Sequence, residues 1–345
     1  MRTGESVLGE ADLALIHALQ LAPRATWTDL AAVIGTSPDT LARRWEQLTA
    51  GGFAWAGILA RYHASAVALY AWVEVDCAAG RSEETATELA GDPYTHSVHQ
   101  VTGEADLVLL VTCPDLVALD DYLTRRVQRL PGVTRSRTQV VTRMHPLRNS
   151  WQLDQLTPQQ AQRLSELAGP AGPGRKPHRF TDTDLRILPA LAGDARISAA
   201  ELARQVGTSE STVRRRLEAL AAGGALFHHC KPAPRFSGRP VFALVKADVP
   251  PLEVASASAA VGRLRQTRVV TSVTGPHNLT AAMWLRSVDE LNDVTAAVAR
   301  AVPGLRITGT ALSLRVRKLG AQVLGPDGRR VHHVRPDIWC RPGEG

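Results

Sequence analysis

Apolar positions recur at helical spacing three times near the start of the chain. Leu13, Ile16 and Leu19 share one face, and TWTDLAAVIG (26–35) gives a second short helix with Thr28 or Asp29 near its start. Gly35 ends that helix, because a left-handed residue costs glycine nothing. A third helix is predicted from Pro38 to about Ala50, with Ser37 as N-cap and Gly51-Gly52 as its stop. The pattern then changes period. Strands are predicted at Val67–Val75, Thr95–Thr102, Ala105–Thr112 and Val133–Arg143, with helices at Ser82–Ala90 and Leu116–Leu130.

The same succession returns at an offset of 172 residues, close to half of the 345-residue chain. Over residues 12–52, 18 of 41 positions are identical to 184–224 without a gap, so the two segments share an ancestor. The offset persists at Val101-Thr102-Gly103 on Val273-Thr274-Gly275 and at Pro131-Gly132 on Pro303-Gly304. Copy 2 is expected to place strands at Val241–Ala247, Arg268–Thr274, Leu279–Leu285 and Leu305–Arg315, with helices at Leu252–Leu264 and Val288–Ala301. A tandem duplication of a two-domain unit follows. Three short helices with a four-residue turn before the third make a helix-turn-helix, and a strand with a wing is expected after it at Phe53–Leu59 and Ala225–His229. The order βαββαβ is a ferredoxin-like (ACT-like) α+β sandwich whose bare sheet face needs a cover.

The expected organisation is winged helix-turn-helix 1 at 1–62, sensing domain 1 at 63–148, a helix and Pro/Gly linker at 149–179, winged helix-turn-helix 2 at 180–236, sensing domain 2 at 237–318 and a tail at 319–345. In the linker, 157–167 has helical spacing with Pro158 at N1, and GPAGPGRKP (169–177) breaks it. On a helical wheel Leu41, Trp45 and Leu48 point inward, leaving Asp39, Thr40 and Arg43 outward with Arg44 flanking. In copy 2, Val213, Leu217 and Leu220 point inward, with Ser211, Thr212 and Arg215 outward and Arg214 and Arg216 on the flanks. With the turn residues Ser37 and Ser209 these are the candidate DNA-binding residues, because hydroxyls reach phosphates or base edges and arginine pairs with guanine.

Charge adds to this picture. The net charge of +7 favours a polyanionic partner such as double-stranded DNA. It is unevenly held: residues 175–240 carry twelve Lys and Arg against six Asp and Glu, a net of +6, while 3–68 carry four against six, a net of −2. Four cysteines lie far apart without CxxC spacing, which fits a reducing cytoplasm, and no apolar stretch approaches the roughly 18 residues that span a bilayer. His228-His229-Cys230 and His332-His333 with Cys340 suggest a metal site only superficially, since adjacent histidines on a strand face opposite ways. No cofactor fingerprint is present, so no cofactor is expected.

The D-L…L…R…LA…G-T-S…R-R…G-G pattern, followed by βαββαβ with V-T-G-E-A-D and L-P-G-V, resembles the Lrp/AsnC (feast/famine) family over about 10–145 and again 182–317. The resemblance implies a transcription regulator whose sensing domain pairs through its sheet and responds to an amino acid or related small molecule. Two fused copies depart from the usual single one. They imply an intramolecular pseudo-dimer, open to further association between chains. The resemblance also implies an effector loop with Asp three residues after Gly. Copy 1 matches at Gly103 and Asp106, whereas copy 2 has Gly275 and Asn278, an amide where the carboxylate would hold an ammonium group. A hairpin turn alone is the simpler reading of both loops. Two other classes remain: a sirohaem decarboxylase-like enzyme, for which His96, His99 and His277 are scattered candidates, and a ligand-binding protein without DNA binding.

Overall fold

The computed structural model describes residues 8–60, 68–145, 152–168, 180–222 and 226–334. In copy 1 these form α1 (Glu10–Leu21), α2 (Trp27–Ile34), α3 (Pro38–Ala50), β1 (Ala54–Ala60), β2 (Leu69–Cys77), α4 (Ser82–Ala90), β3 (Thr95–Val101), β4 (Leu107–Cys113), α5 (Leu116–Arg125) and β5 (Val133–His145). The helix α6 (Pro158–Ala168) follows. Copy 2 contributes α7 (Asp182–Gly193), α8 (Ala199–Val206), α9 (Glu210–Ala222), β6 (Leu226–Pro232), β7 (Val241–Asp248), α10 (Val254–Gly262), β8 (Thr267–Val273), β9 (Leu279–Leu285), α11 (Glu290–Ala301), β10 (Arg306–Leu319), β11 (Gln322–Leu324) and β12 (Arg330–His333).

These elements make two compact units, each assembled from both copies. The first gathers the helix-turn-helix motifs. Side-chain caps start the short helices: Thr26 accepts from the Asp29 amide at 3.1 Å and Ser198 from the Glu201 amide at 3.1 Å. Gly35 (φ 85°) and Gly207 (φ 70°) then turn the chain in the left-handed region. Leu15, Ile16, Leu19, Leu30 and Leu41 are buried beneath the turn, each stabilising the motif by roughly 1.5–3 kcal/mol.

Three features of this unit differ from expectation. Among the described residues the strand after each third helix pairs with its counterpart in the other copy: β1 pairs antiparallel with β6. The edge of a lone strand needs a partner, and the other copy supplies it. Predicted residue Ala225 lies outside the described residues, as do 169–177. The linker is also more than a tether. Its α6 packs on α1 and α2, burying Leu164, while Gln160 donates to the Val33 carbonyl at 3.1 Å. The tail is likewise structured: the Arg330 amide donates to the Gly52 carbonyl at 2.9 Å, and the Arg330 guanidinium to the Thr49 carbonyl at 2.8 Å.

The second unit holds both βαββαβ modules. Copy 1 orders its strands β3-β4-β2-β5 and copy 2 continues β8-β9-β7-β10, with β5 pairing β8 and β10 pairing both β7 and β3. Eight strands therefore close on themselves. The helices cover each sheet outside, over Val73, Leu89, Val98 and Leu109 in copy 1 and Val245, Val261, Val270 and Met283 in copy 2. Between the sheets lies a third core of Tyr70, Trp72, Leu110, Phe242, Leu244 and Trp284, contributed by both copies. This is the cover the bare faces require.

Boundaries moved where local geometry intervened. The predicted 116–130 helix is α5 followed by a short 3-10 turn at Val127–Arg129, and α10 begins at Val254 after a 3-10 turn at Pro251–Glu253. The strands β5 and β10 run longer than predicted, because each changes partner midway.

Candidate functional site

Both third helices present the outward faces read from the sequence. Ser37, Asp39 and Arg43 are exposed and Thr40 half-buried; in copy 2 Ser209, Ser211, Arg214 and Arg215 are exposed and Thr212 half-buried. Inward, Leu41, Trp45, Leu48, Val213 and Leu220 are buried, while Leu217 is only half-buried. Ser37 and Ser209 cap these helices, each hydroxyl accepting from the amide of Thr40 or Thr212 at 3.2 Å. The cap sets where each outward face begins.

Arg44 and Arg216 each make an ion pair with the first helix of their motif. Arg44 reaches Asp12 on α1 at 2.6 Å, and Arg216 grips Asp184 on α7 through two bonds of 2.9 and 2.6 Å. Asp184 is fully buried. Burial alone would raise its carboxyl, but the Arg216 guanidinium and the Thr181 amide and hydroxyl hold it below the ordinary value of 3.8. These arginines fix the third helix against the first, so the freely presented guanidiniums are Arg43 and Arg215. Arg214 is exposed and pairs along its own helix with Glu210, its Nε lying 2.9 Å from the carboxylate.

The two motifs are related by an approximate two-fold axis. In the β1–β6 ladder Gly57 lies opposite His229, its own counterpart at the 172-residue offset. Arg24 donates to the Ala195 carbonyl at 2.7 Å, and its counterpart Arg196 donates to the Pro23 carbonyl at 2.7 Å. Arg196 also covers the Trp27 ring at 4.1 Å. Arg24 and Arg196 lie outside the helical faces read from the sequence, yet they are identical at the 172-residue offset. Their identity in both copies was the available signal.

The candidate effector loops are equally well defined. Gly103 (φ 105°) and Gly275 (φ 113°) adopt a conformation that side chains rarely tolerate. Beside them, the Thr102 amide donates to the Leu312 carbonyl at 2.8 Å and the Thr274 amide to the Val140 carbonyl at 2.9 Å, again a reciprocal pair. The carboxylate of Asp106 accepts from the Cys77 amide at 2.7 Å. Asn278 does the same at the equivalent place, accepting from the Val249 amide at 3.0 Å and donating to the Val249 carbonyl at 2.7 Å. Both side chains fasten the loop to the end of the module's first strand. The Asp-to-Asn difference is accounted for by this role, since the amide satisfies two backbone groups there.

The histidines go elsewhere. His99 is buried and stacks on Phe242 at 3.9 Å, with burial and then His96 pushing it down to about 3. His277 is buried and shares a hydrogen bond of 3.2 Å with Thr280. His228 is lowered to about 4, first by burial and then by Arg24. Among the described residues no cluster of three metal-ligating side chains occurs, and no helix is long and apolar enough to cross a membrane. Cys340 lies outside the described residues.

Paired helix-turn-helix motifs joined to a double sensing barrel define the class. Residues 8–49 and 180–221 match the AsnC-type helix-turn-helix domain, and 70–150 match the Lrp/AsnC ligand binding domain. The chain belongs to the Lrp/AsnC family. It is similar to the Bkd operon transcriptional regulator of Pseudomonas aeruginosa, 31% identical over 134 residues, covering 36% of this chain and 85% of that protein. An uncharacterized HTH-type transcriptional regulator of Pyrococcus furiosus is 29% identical over 140 residues, covering 40% of this chain and 95% of its own length. The siroheme decarboxylase NirDL shares the fold across 93% of this chain and 96% of its own, at a TM-score of 0.58 and 15% identity.

Proposed function

We propose that the chain is a sequence-specific DNA-binding transcriptional regulator, and not an enzyme, that responds to an amino acid or a related small molecule. The observation that carries this reading is the pair of recognition helices, each with a serine cap followed by an outward Thr and Arg, set about a local two-fold axis. That arrangement suits two successive major-groove half-sites. Relatives named as transcriptional regulators support it. Ser37, Asp39, Thr40, Arg43, Ser209, Ser211, Thr212, Arg214 and Arg215 are its proposed DNA-facing residues, with Arg44 and Arg216 holding the helices in place.

For the effector we propose the region of the Gly103 and Gly275 loops, where each loop meets the last strand of the other copy. In this reading Asp106 and Asn278 shape the loops. Mobility shift on the DNA upstream of its own coding region, with and without amino acids, tests the whole proposal. A retarded complex altered by an effector is expected. Absence of any complex over a range of salt would reject DNA binding, and absorbance of a bound tetrapyrrole in the purified protein would favour an enzyme instead.

A further inference from the structure

A two-fold symmetric dimer carries two identical recognition helices, and its operator is correspondingly palindromic. Here the arrangement is kept while the identity is lost. Gly57 opposite His229 and the reciprocal Arg24 and Arg196 contacts place α3 and α9 about a local two-fold axis. Position by position along the outward faces, Thr40 and Thr212 agree, as do Arg43 and Arg215 and also Glu46 and Glu218. Around this shared frame the residues diverge: Pro38 stands against Glu210, Asp39 against Ser211, Ala42 against Arg214, and Gln47 against Ala219.

All but the last of these differences fall in and beside the exposed first turns of the two helices. Asp39 and Ser211 are both exposed in the first turn of their helices, the part that enters the groove. An aspartate only accepts, so it suits the amino group of cytosine and repels phosphate; a serine donates as readily as it accepts. Arg214 adds a second exposed guanidinium to copy 2, where copy 1 has the methyl of Ala42. Its pairing with Glu210 is a surface ion pair within one helix, weak enough to be exchanged for guanine or phosphate. The excess positive charge of residues 175–240 over 3–68 points the same way.

We infer that this chain reads a single asymmetric operator of two unlike half-sites in fixed order, α9 engaging a guanine-containing half-site and α3 a different one through Asp39 and Arg43. The inference rests on the DNA-binding reading above. It also implies that the two helices contribute unequally, the arginine-rich α9 supplying most of the phosphate neutralisation.

The experiment is selection of binding sites from random duplex DNA with the full chain, followed by titration of the selected site against the palindromes built from each of its halves. Tenfold or greater preference for the asymmetric duplex over both palindromes is expected. Equal or tighter binding to either palindrome would overturn the inference. Failure to enrich any sequence would instead reject sequence-specific DNA binding itself, so the two failures are distinguishable. The double variant Asp39→Ser with Ala42→Arg, on the outward face and its flank, is expected to shift preference toward the palindrome of the α9 half-site. Selection of an unchanged site by that variant, with its helical circular dichroism intact, would also overturn the assignment.

Discussion

Glu74 and Lys246 are counterparts at the 172-residue offset, and they meet each other as a buried ion pair in the space between the two sheets. They lie on the same strand faces as Trp72 and Leu244. In a symmetric dimer the same positions would set two like charges against one another. Arg137 reaches Glu74 as well, at 3.2 Å, while its other nitrogens bind Asp76 at 2.8 Å.

Reversal of one member should therefore cost more than reversal of both. Glu74→Lys alone is expected to lose about 3–5 kcal/mol, the usual consequence of breaking a buried pair. The double exchange Glu74→Lys with Lys246→Glu should recover part of it, the rest being lost where Arg137 then faces a cation. Urea unfolding of the three proteins measures this, and a double variant as weak as the single one would contradict the pairing.

Arg215 and Arg216 are neighbours with opposite consequences. Arg215→Ala is expected to leave the unfolding midpoint unchanged and to weaken operator binding by roughly 1–3 kcal/mol. Arg216→Ala strips the partner from fully buried Asp184, so it should lower thermal stability and lose DNA binding as a result. Arg43→Ala should cost less binding than Arg215→Ala, and titration at several salt concentrations compares them.

Acid should undo the same anchor. Asp184 has a folded value held below 3.8, so its contribution is present above the unfolded value and is lost as pH falls through the folded one. His17 acts in a higher window. Its Nδ1 accepts from the Gln155 and Leu156 amides at 3.2 Å, and burial lowers it below 6.5 despite Asp154. The stability it confers is complete above 6.5 and declines as pH drops below that. Hydrogen-exchange protection at residues 152–156, taken relative to the intrinsic rate at each pH, should fall between pH 7.5 and 5.5, and His17→Phe should abolish the difference.

The effector loops allow a rescue test. Asp106→Ala should free the Cys77 amide and weaken effector binding by loosening the loop, while Asp106→Asn, which reproduces Asn278, should restore it. Calorimetry with amino acids decides. Restoration by asparagine is incompatible with a carboxylate that holds an ammonium group.

Much of this was legible along the chain. The helices, the caps at Ser37 and Ser209, the outward Arg43 and Arg215 and the βαββαβ order all rest on spacing within a dozen residues, which sequence records directly. What escaped depends on partners far away in the chain. Arg44 looks like any flanking arginine until Asp12 is seen beside it, and the strand at 54–60 looks like half of a wing until β6 arrives from 172 residues on. Lys318, whose amine donates to the Asp92 carbonyl at 2.6 Å inside copy 1, had no local signature.

The alternation of segments between units also has a meaning in time. The chain visits the DNA-binding unit, leaves it, and returns twice, the last time with Arg330 bonded to Gly52. The strand that closes the barrel on both sides, β10, begins only at Arg306. Synthesis must therefore have passed β10 before the barrel can close, and Arg330 before the other unit is complete. A chain ending before Arg306 lacks the strand that joins β7 to β3, and one ending before Arg330 lacks the bond to Gly52.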